Sequence, residues 1–184
     1  MQRLDRFVLA VAAAAVTAMT VGVGAQKMTD IHPGKGGSPH VRTDWTVDGA
    51  AISIEYGRPF LKGRTIGKEV APNGQIWRAG ADEATTLKTD KPLKFGSLSV
   101  PAGTYTLWVV PGDKEWQLVV SKATGQWGTQ YREGEDLGRV RMNVGAAKAA
   151  AEQLTYQIDD TPKGATLRLE WGTASASTPF TVGS

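Results

Sequence analysis

The sequence predicts an all-β fold, an antiparallel β-sandwich of jelly-roll type with about 8–10 short strands and little helix. Three observations carry this prediction. Apolar residues recur with period two in short runs, Gly, Pro and Asp clusters separate those runs, and no stretch sustains an amphipathic helical period. Each run has one polar face, as expected of antiparallel sheets solvated on the outside.

The elements follow in order. Ile52, Ile54 and Tyr56 alternate with Ala51, Ser53 and Glu55, and Thr85–Thr89 is a short β-prone run. Thr104–Val110 sets Tyr105, Leu107 and Val109 on one side and Thr106, Trp108 and Val110 on the other. The turn cluster Pro111–Glu115 leads into a strand aligning Trp116, Leu118 and Val120, and this pair is the strongest hairpin in the chain. Further strands are read from Val140/Met142/Val144, Leu154/Tyr156/Ile158, Leu167/Leu169/Trp171 and Phe180/Val182. The Ala-rich segment Ala146–Gln153 is expected to form one or two helical turns. The core is assigned to Ile52, Ile54, Leu107, Val109, Leu118, Val120, Leu154, Ile158, Leu167 and Leu169.

Composition narrows the chemistry. The 184 residues include no Cys and two His, with a net charge of +3. The missing Cys removes thiol nucleophiles, thiolate metal sites and disulfides, and the small net charge implies no polyanion partner. Residues 1–25 read as a signal peptide: Arg3 and Arg6, an uncharged run Val8–Val23, then Val23-Gly24-Ala25 before a cleavage point at Gln26. A periplasmic or secreted protein is expected, without a lipid anchor and without a membrane span after cleavage. Residues 26–39, rich in Gly and Pro, read as a flexible leader, and 40–184 as a single β-sandwich domain.

Binding chemistry is expected where the strand pattern fails. Tyr56–Thr85 is long and Gly-rich, and Gly57–Arg78 carries Arg58, Lys62, Arg64, Lys68 and Arg78 against Glu69 alone. Long irregular segments on a rigid scaffold commonly carry binding groups, and guanidinium suits planar recognition of carboxylate or phosphate. The structural alternative pairs these arginines with Glu83, Glu55 or Asp136 to pin the loop to the sheet. Trp77 beside Arg78 and Glu83 can hold a sugar face, or be a core residue. Trp127 and Tyr131 lie in a second irregular stretch, Lys122–Gly138. Trp45, Trp108, Trp116 and Trp171 fall in strand patterns and are assigned to packing.

The segments Tyr56-Gly57-Arg58-Pro59, Lys62-Gly63-Arg64, Trp77-Arg78-Ala79-Gly80-Ala81-Asp82-Glu83-Ala84-Thr85 and Pro101-Ala102-Gly103-Thr104-Tyr105 occur in this order. They are joined by Trp116, Trp127-Gly128, Tyr131 and Asp136. Together they resemble the bacterial secreted family called domain of unknown function 2911, over residues 38–182. The resemblance implies export and the β-rich fold, and Asn at the position where Asp82 stands. It implies no activity.

Catalytic patterns are weak. His32 and His40 fall in or beside the leader, no G-x-S-x-G occurs, and the spacing of His32, His40, Asp30 and Asp44 matches no standard metal motif. The Gly63–Glu69 run lacks the spacing and the hydroxyl of a phosphate loop. No metal, cofactor or nucleic-acid partner is expected. The reading favoured by the residues is a non-catalytic module binding a carbohydrate or small anion through Arg58, Arg64, Trp77, Arg78, Glu83, Trp127 and Tyr131. The alternatives are a hydrolase using Glu83 with Asp136 or Glu55, and a purely structural or interaction module in which these motifs lock the fold.

Overall fold

The computed structural model describes residues 26–183, and the stretch read as an export signal lies outside them. Strands β1 (Lys27–His32), β2 (His40–Val47) and β3 (Ala50–Gly57) come first, then the short β4 (Ile66–Gly67) and β5 (Val70–Pro72). Next are β6 (Thr86–Thr89), β7 (Leu93–Phe95), β8 (Leu98–Val100), β9 (Gly103–Val110) and β10 (Glu115–Ser121). After one 3₁₀ turn at Glu133–Glu135, β11 (Asp136–Thr161) and β12 (Gly164–Val182) complete the chain. No helix among the described residues is long and apolar enough to cross a membrane.

Ten strands form one antiparallel sheet in the order β1-β2-β3-β6-β9-β10-β11-β12-β7-β8, and β4 and β5 form a small parallel pair. The sheet folds over on itself. Tyr56 on β3 and Tyr156 on β11 are separated by three strands in that order, yet their rings meet edge to face at 4.8 Å. Aromatic pairs favour this geometry, and here it joins the two layers of a sandwich. The sandwich is not a closed barrel, because β1 and β8 remain edges. All ten residues assigned to the core are buried, with Ile54, Leu107, Val109, Leu118, Val120 and Leu154 fully so.

Three expectations are corrected. Ala146–Gln153 is not helical but part of the 26-residue strand β11. Ala146 pairs with Ala174, Ala151 with Gly172 and Thr155 with Glu170, so β11 carries extra residues on both sides of Ala151. A segment this short cannot repay helix nucleation alone, whereas the flanking residues are already held by β12. The extra residues give the strand a local edge: Glu152 O accepts Leu61 N–H at 2.8 Å, and Leu154 N–H donates to Pro59 O at 3.1 Å.

The leader is only partly loose. Residues 27–32 form the edge strand β1, paired to β2 from Lys27↔Asp44 to His32↔His40. Every residue of β1 is exposed, so no apolar alternation was required to specify it.

Finally, the outer face of β9 and β10 is only partly solvated, with Thr104, Glu115 and Gln117 exposed. Leu107, Val109, Leu118 and Val120 point to the core, but Thr106, Trp108, Val119 and Ser121 on the opposite side are buried too. The irregular stretch after β10 covers them. Thr106 Oγ1 donates to Ala123 O at 2.7 Å, Ser121 Oγ to Glu135 O at 3.3 Å, and Trp108 meets Tyr131 edge to face at 5.2 Å.

Candidate functional site

The segment from Trp77 to Thr85 builds the site by interrupting a strand. Trp77 exchanges both backbone hydrogen bonds with Val109 on β9, at 2.7 and 2.9 Å, and Thr85 O accepts Leu107 N–H at 2.8 Å. Between these two anchors only one residue of β9 is bridged, so Arg78–Ala84 must leave the plane of the sheet. Ala79 (φ 51°) and Asp82 (φ 60°) take left-handed conformations to make the reversal. Such φ values are uncommon for non-glycine residues and persist only where the surroundings impose them. Here Tyr156 Oη donates to Ala79 O at 2.9 Å, and Thr85 Oγ1 lies 3.1 Å from the carbonyls of both Arg78 and Ala79.

Two glycines clamp the turn. A Cβ on Gly57 would meet Ala81 O at 2.3 Å, and one on Gly128 would meet Asp82 O at 2.5 Å. Gly128 N–H donates to that same Asp82 carbonyl at 2.9 Å. These contacts explain the Tyr-Gly-Arg-Pro and Trp-Gly pieces of the sequence: backbone approaches backbone where no side chain fits.

One side of the turn faces a cleft of about 780 Å³, in the range of small-molecule sites. Trp77, half-buried, and Trp171 form its aromatic wall, stacked at 5.6 Å with planes 4° apart. Trp108 and Tyr131 form another. Four cationic side chains line it (Lys35, Lys62, Arg64 and Arg78), with Glu69 and Asp82 the acids among them.

Both acids are engaged by backbone. Glu69 Oε2 accepts Thr65 N–H at 2.9 Å, and hydrogen bonds from the Glu69 and Thr65 backbone hold its carboxyl below the usual carboxylate range. Asp82 Oδ2 accepts Lys35 N–H at 2.8 Å, which draws the Gly-rich segment over the cleft, and Lys35 Nζ rests 5.1 Å above the Trp127 ring. Arg64 spends its Nε and Nη2 on Leu61 O and Phe60 O, at 2.9 and 2.6 Å. Arg78 donates Nε–H to Gly80 O at 3.3 Å, and no carboxylate lies within ion-pair distance of it among the described residues.

Of the residues singled out from sequence, Arg64, Trp77, Arg78 and Tyr131 meet in this cleft. Arg58 does not: it donates to Leu154 O and Thr155 Oγ1, both at 3.1 Å, beside a separate hollow lined by β1 residues. Trp127 pairs with Glu83 through the backbone. The expected pinning of the loop by Arg–carboxylate pairs is also corrected. Arg58 and Arg64 use backbone carbonyls and a threonine, while Asp136 is taken by Tyr131 and Arg139. The bulged strand supplies the acceptors of Arg58, and the loop's own Phe60 and Leu61 carbonyls serve Arg64, so no acid is needed.

Glu83 turns away from the cleft toward two histidines that the sequence reading set aside. The β1–β2 register places His32 opposite His40, with rings stacked at 4.6 Å. Glu83 Oε2 lies 3.4 Å from His40 Nδ1 and 3.8 Å from His32 Nε2, and Glu55 Oε1 lies 3.6 Å from His40 Nε2. Burial holds His40 below the ordinary histidine value, against the raising effect of Glu83. The fold therefore favours its neutral form. Only a strand in the leader could have revealed the cluster, and β1 has no apolar signature.

Tyr131 donates to Asp136 Oδ2 at 2.6 Å and accepts from Arg139 Nη2 at 2.9 Å. Burial, then Asp136, push its phenol up to about 12. Burial also raises Tyr56, Tyr105 and Tyr156, so all four tyrosines of the chain titrate above 10. For a raised acid the fold favours the neutral form. That stabilisation is complete below pH 10 and is lost as pH climbs past it. An alkaline titration followed by tyrosinate absorbance is expected to show no phenol ionising at its ordinary value until the protein unfolds.

The family model described as protein of unknown function (DUF2911) matches residues 38–180. No curated protein and no solved structure matches the chain.

Proposed function

On the premise that the chain belongs to the DUF2911 family, whose description assigns no activity, we propose that it is an exported binding module. Its ligand is a small anion or an acidic carbohydrate, held in the Trp77–Arg78 cleft. Export rests on the basic start, the uncharged run and the small residues before Gln26.

The single observation that carries the binding reading is Arg78: a guanidinium lining a cleft of about 780 Å³ beside stacked tryptophans, with no carboxylate partner among the described residues. A guanidinium left without an anion in such a place is ready for paired hydrogen bonds to a carboxylate or phosphate. Lys35, Lys62 and Arg64 add positive charge around it, while Glu69 and Asp82 are occupied by backbone N–H groups. Trp77 and Tyr131 offer ring surface suited to a sugar.

Thermal-shift and calorimetric screens with uronic acids, sugar phosphates, inorganic phosphate and neutral sugars test this. A charged ligand at about 100 times its dissociation constant is expected to add about 2.7 kcal/mol of stability. Arg78→Gln is expected to weaken that ligand at least about 10-fold, the loss of one charge-assisted pair, with little change in the melting temperature of the free protein. Neutral and charged compounds alike failing to stabilise the wild type would remove the binding reading.

A further inference from the structure

His32, His40 and Glu83 lie outside the cleft and take no part in the binding reading. Their donor atoms, His32 Nε2, His40 Nδ1 and Glu83 Oε2, fall within 4.8 Å of one another. His40 is 2 % exposed, and its Nδ1 has no hydrogen-bond partner; neither has the buried Glu83 Oε2. Two buried polar atoms facing each other at 3.4 Å without a formed hydrogen bond are costly, and a cation between them removes the cost.

We propose that His32, His40 and Glu83 bind one zinc ion, tying the edge strand β1 to the turn that forms the cleft. Bonds of about 2.0–2.2 Å around a tetrahedral zinc separate neighbouring ligand atoms by about 3.3–3.6 Å. The carboxylate–imidazole separations here are 3.4 and 3.8 Å, and the half-exposed His32 ring turns out of its stack on His40 to bring all three donors, now within 4.8 Å, onto one ion. Two imidazoles with one carboxylate select zinc over calcium or magnesium, which take oxygen ligands. Glu55 stands against His40 Nε2 at 3.6 Å, where a carboxylate orients a metal-bound imidazole and raises its basicity.

His32 and Glu83 have side chains 40 % and 41 % exposed, so the fourth position opens to solvent and takes water. Gly34 N–H now donates to His32 Nδ1 at 3.1 Å, which places the ring proton on Nε2. Loading the site shifts that proton to Nδ1 and gives up this one exposed hydrogen bond.

The test uses the chain stripped with a chelator, dialysed, and titrated with zinc chloride against a chromophoric competitor. One zinc per chain and a raised melting temperature are expected. His32→Ala and Glu83→Gln, both at partly exposed positions, are expected to melt like the metal-free wild type and to bind zinc at least about 10–100-fold more weakly. Arg78→Gln is expected to bind zinc like the wild type, which separates this proposal from the cleft reading. Absence of stoichiometric zinc in the wild type, or equal affinity in both ligand variants, overturns it.

Discussion

Tyr156→Ala is expected to lower the folding free energy by about 3–5 kcal/mol, as for other large buried rings. Against a total of about 5–15 kcal/mol for a domain, that is enough to populate the unfolded chain at modest temperature. The ring is fully buried between the layers, edge to face with Tyr56, and Tyr156 N–H donates to Tyr56 Oη at 3.2 Å. Its own hydroxyl holds Ala79 O at 2.9 Å, within the strained turn.

Tyr156→Phe separates the two roles. It keeps the ring and removes only the hydroxyl, while Thr85 Oγ1 remains 3.1 Å from Ala79 O, so a loss of about 1 kcal/mol is expected. Chemical denaturation of both variants measures the difference. Equal losses would mean that the hydrogen bond to the turn, and not the cavity, dominates.

The second large effect is expected at Gly57. An alanine there would place Cβ 2.3 Å from Ala81 O and 2.9 Å from Ala81 C, both backbone atoms that no rotamer change can move aside. Either β3 or the turn must shift, at a cost of about 3 kcal/mol or more. The turn carries Arg78 and Asp82 on the cleft side and Glu83 on the histidine side. Gly57→Ala is therefore expected to impair the cleft and the histidine cluster together. Gly145→Ala is the control for backbone entropy alone, since Gly145, like Gly57, has no positive φ and a Cβ there meets nothing within 4 Å. Melting curves of the two variants rank them, and a Gly57→Ala protein as stable as the control would refute the clamp.

The strands were legible because a half-buried strand prints its environment as alternation. Ile52/Ile54, Leu107/Val109 and Leu118/Val120 each face the core, and the hairpin between β9 and β10 pairs Val110 with Gln117 across the turn. The cleft was partly legible for the opposite reason. Arg64, Trp77 and Arg78 stood in a basic, Gly-rich stretch with no such alternation, and they line it. Arg58 was misplaced within the same stretch, because its partners Leu154 and Thr155 lie on a strand nearly a hundred residues away.

The histidine cluster was the least legible part. His32 ends a strand exposed on every residue, and Glu83 is distant in sequence. Nothing local marked either as a neighbour of His40.

The sequence alone therefore determined the β architecture and most of its core, since burial of alternate residues is a local, periodic requirement. It also determined the two irregular segments from which a site is assembled. Tertiary structure decided what those segments do. The fold-over of the sheet, the glycine-clamped turn and the β1–β2 register sort Arg78 into the cleft and Glu83 toward the histidines, although the two are only five positions apart. Side-chain direction in a strained turn depends on contacts from distant strands, and such contacts leave no period in the chain.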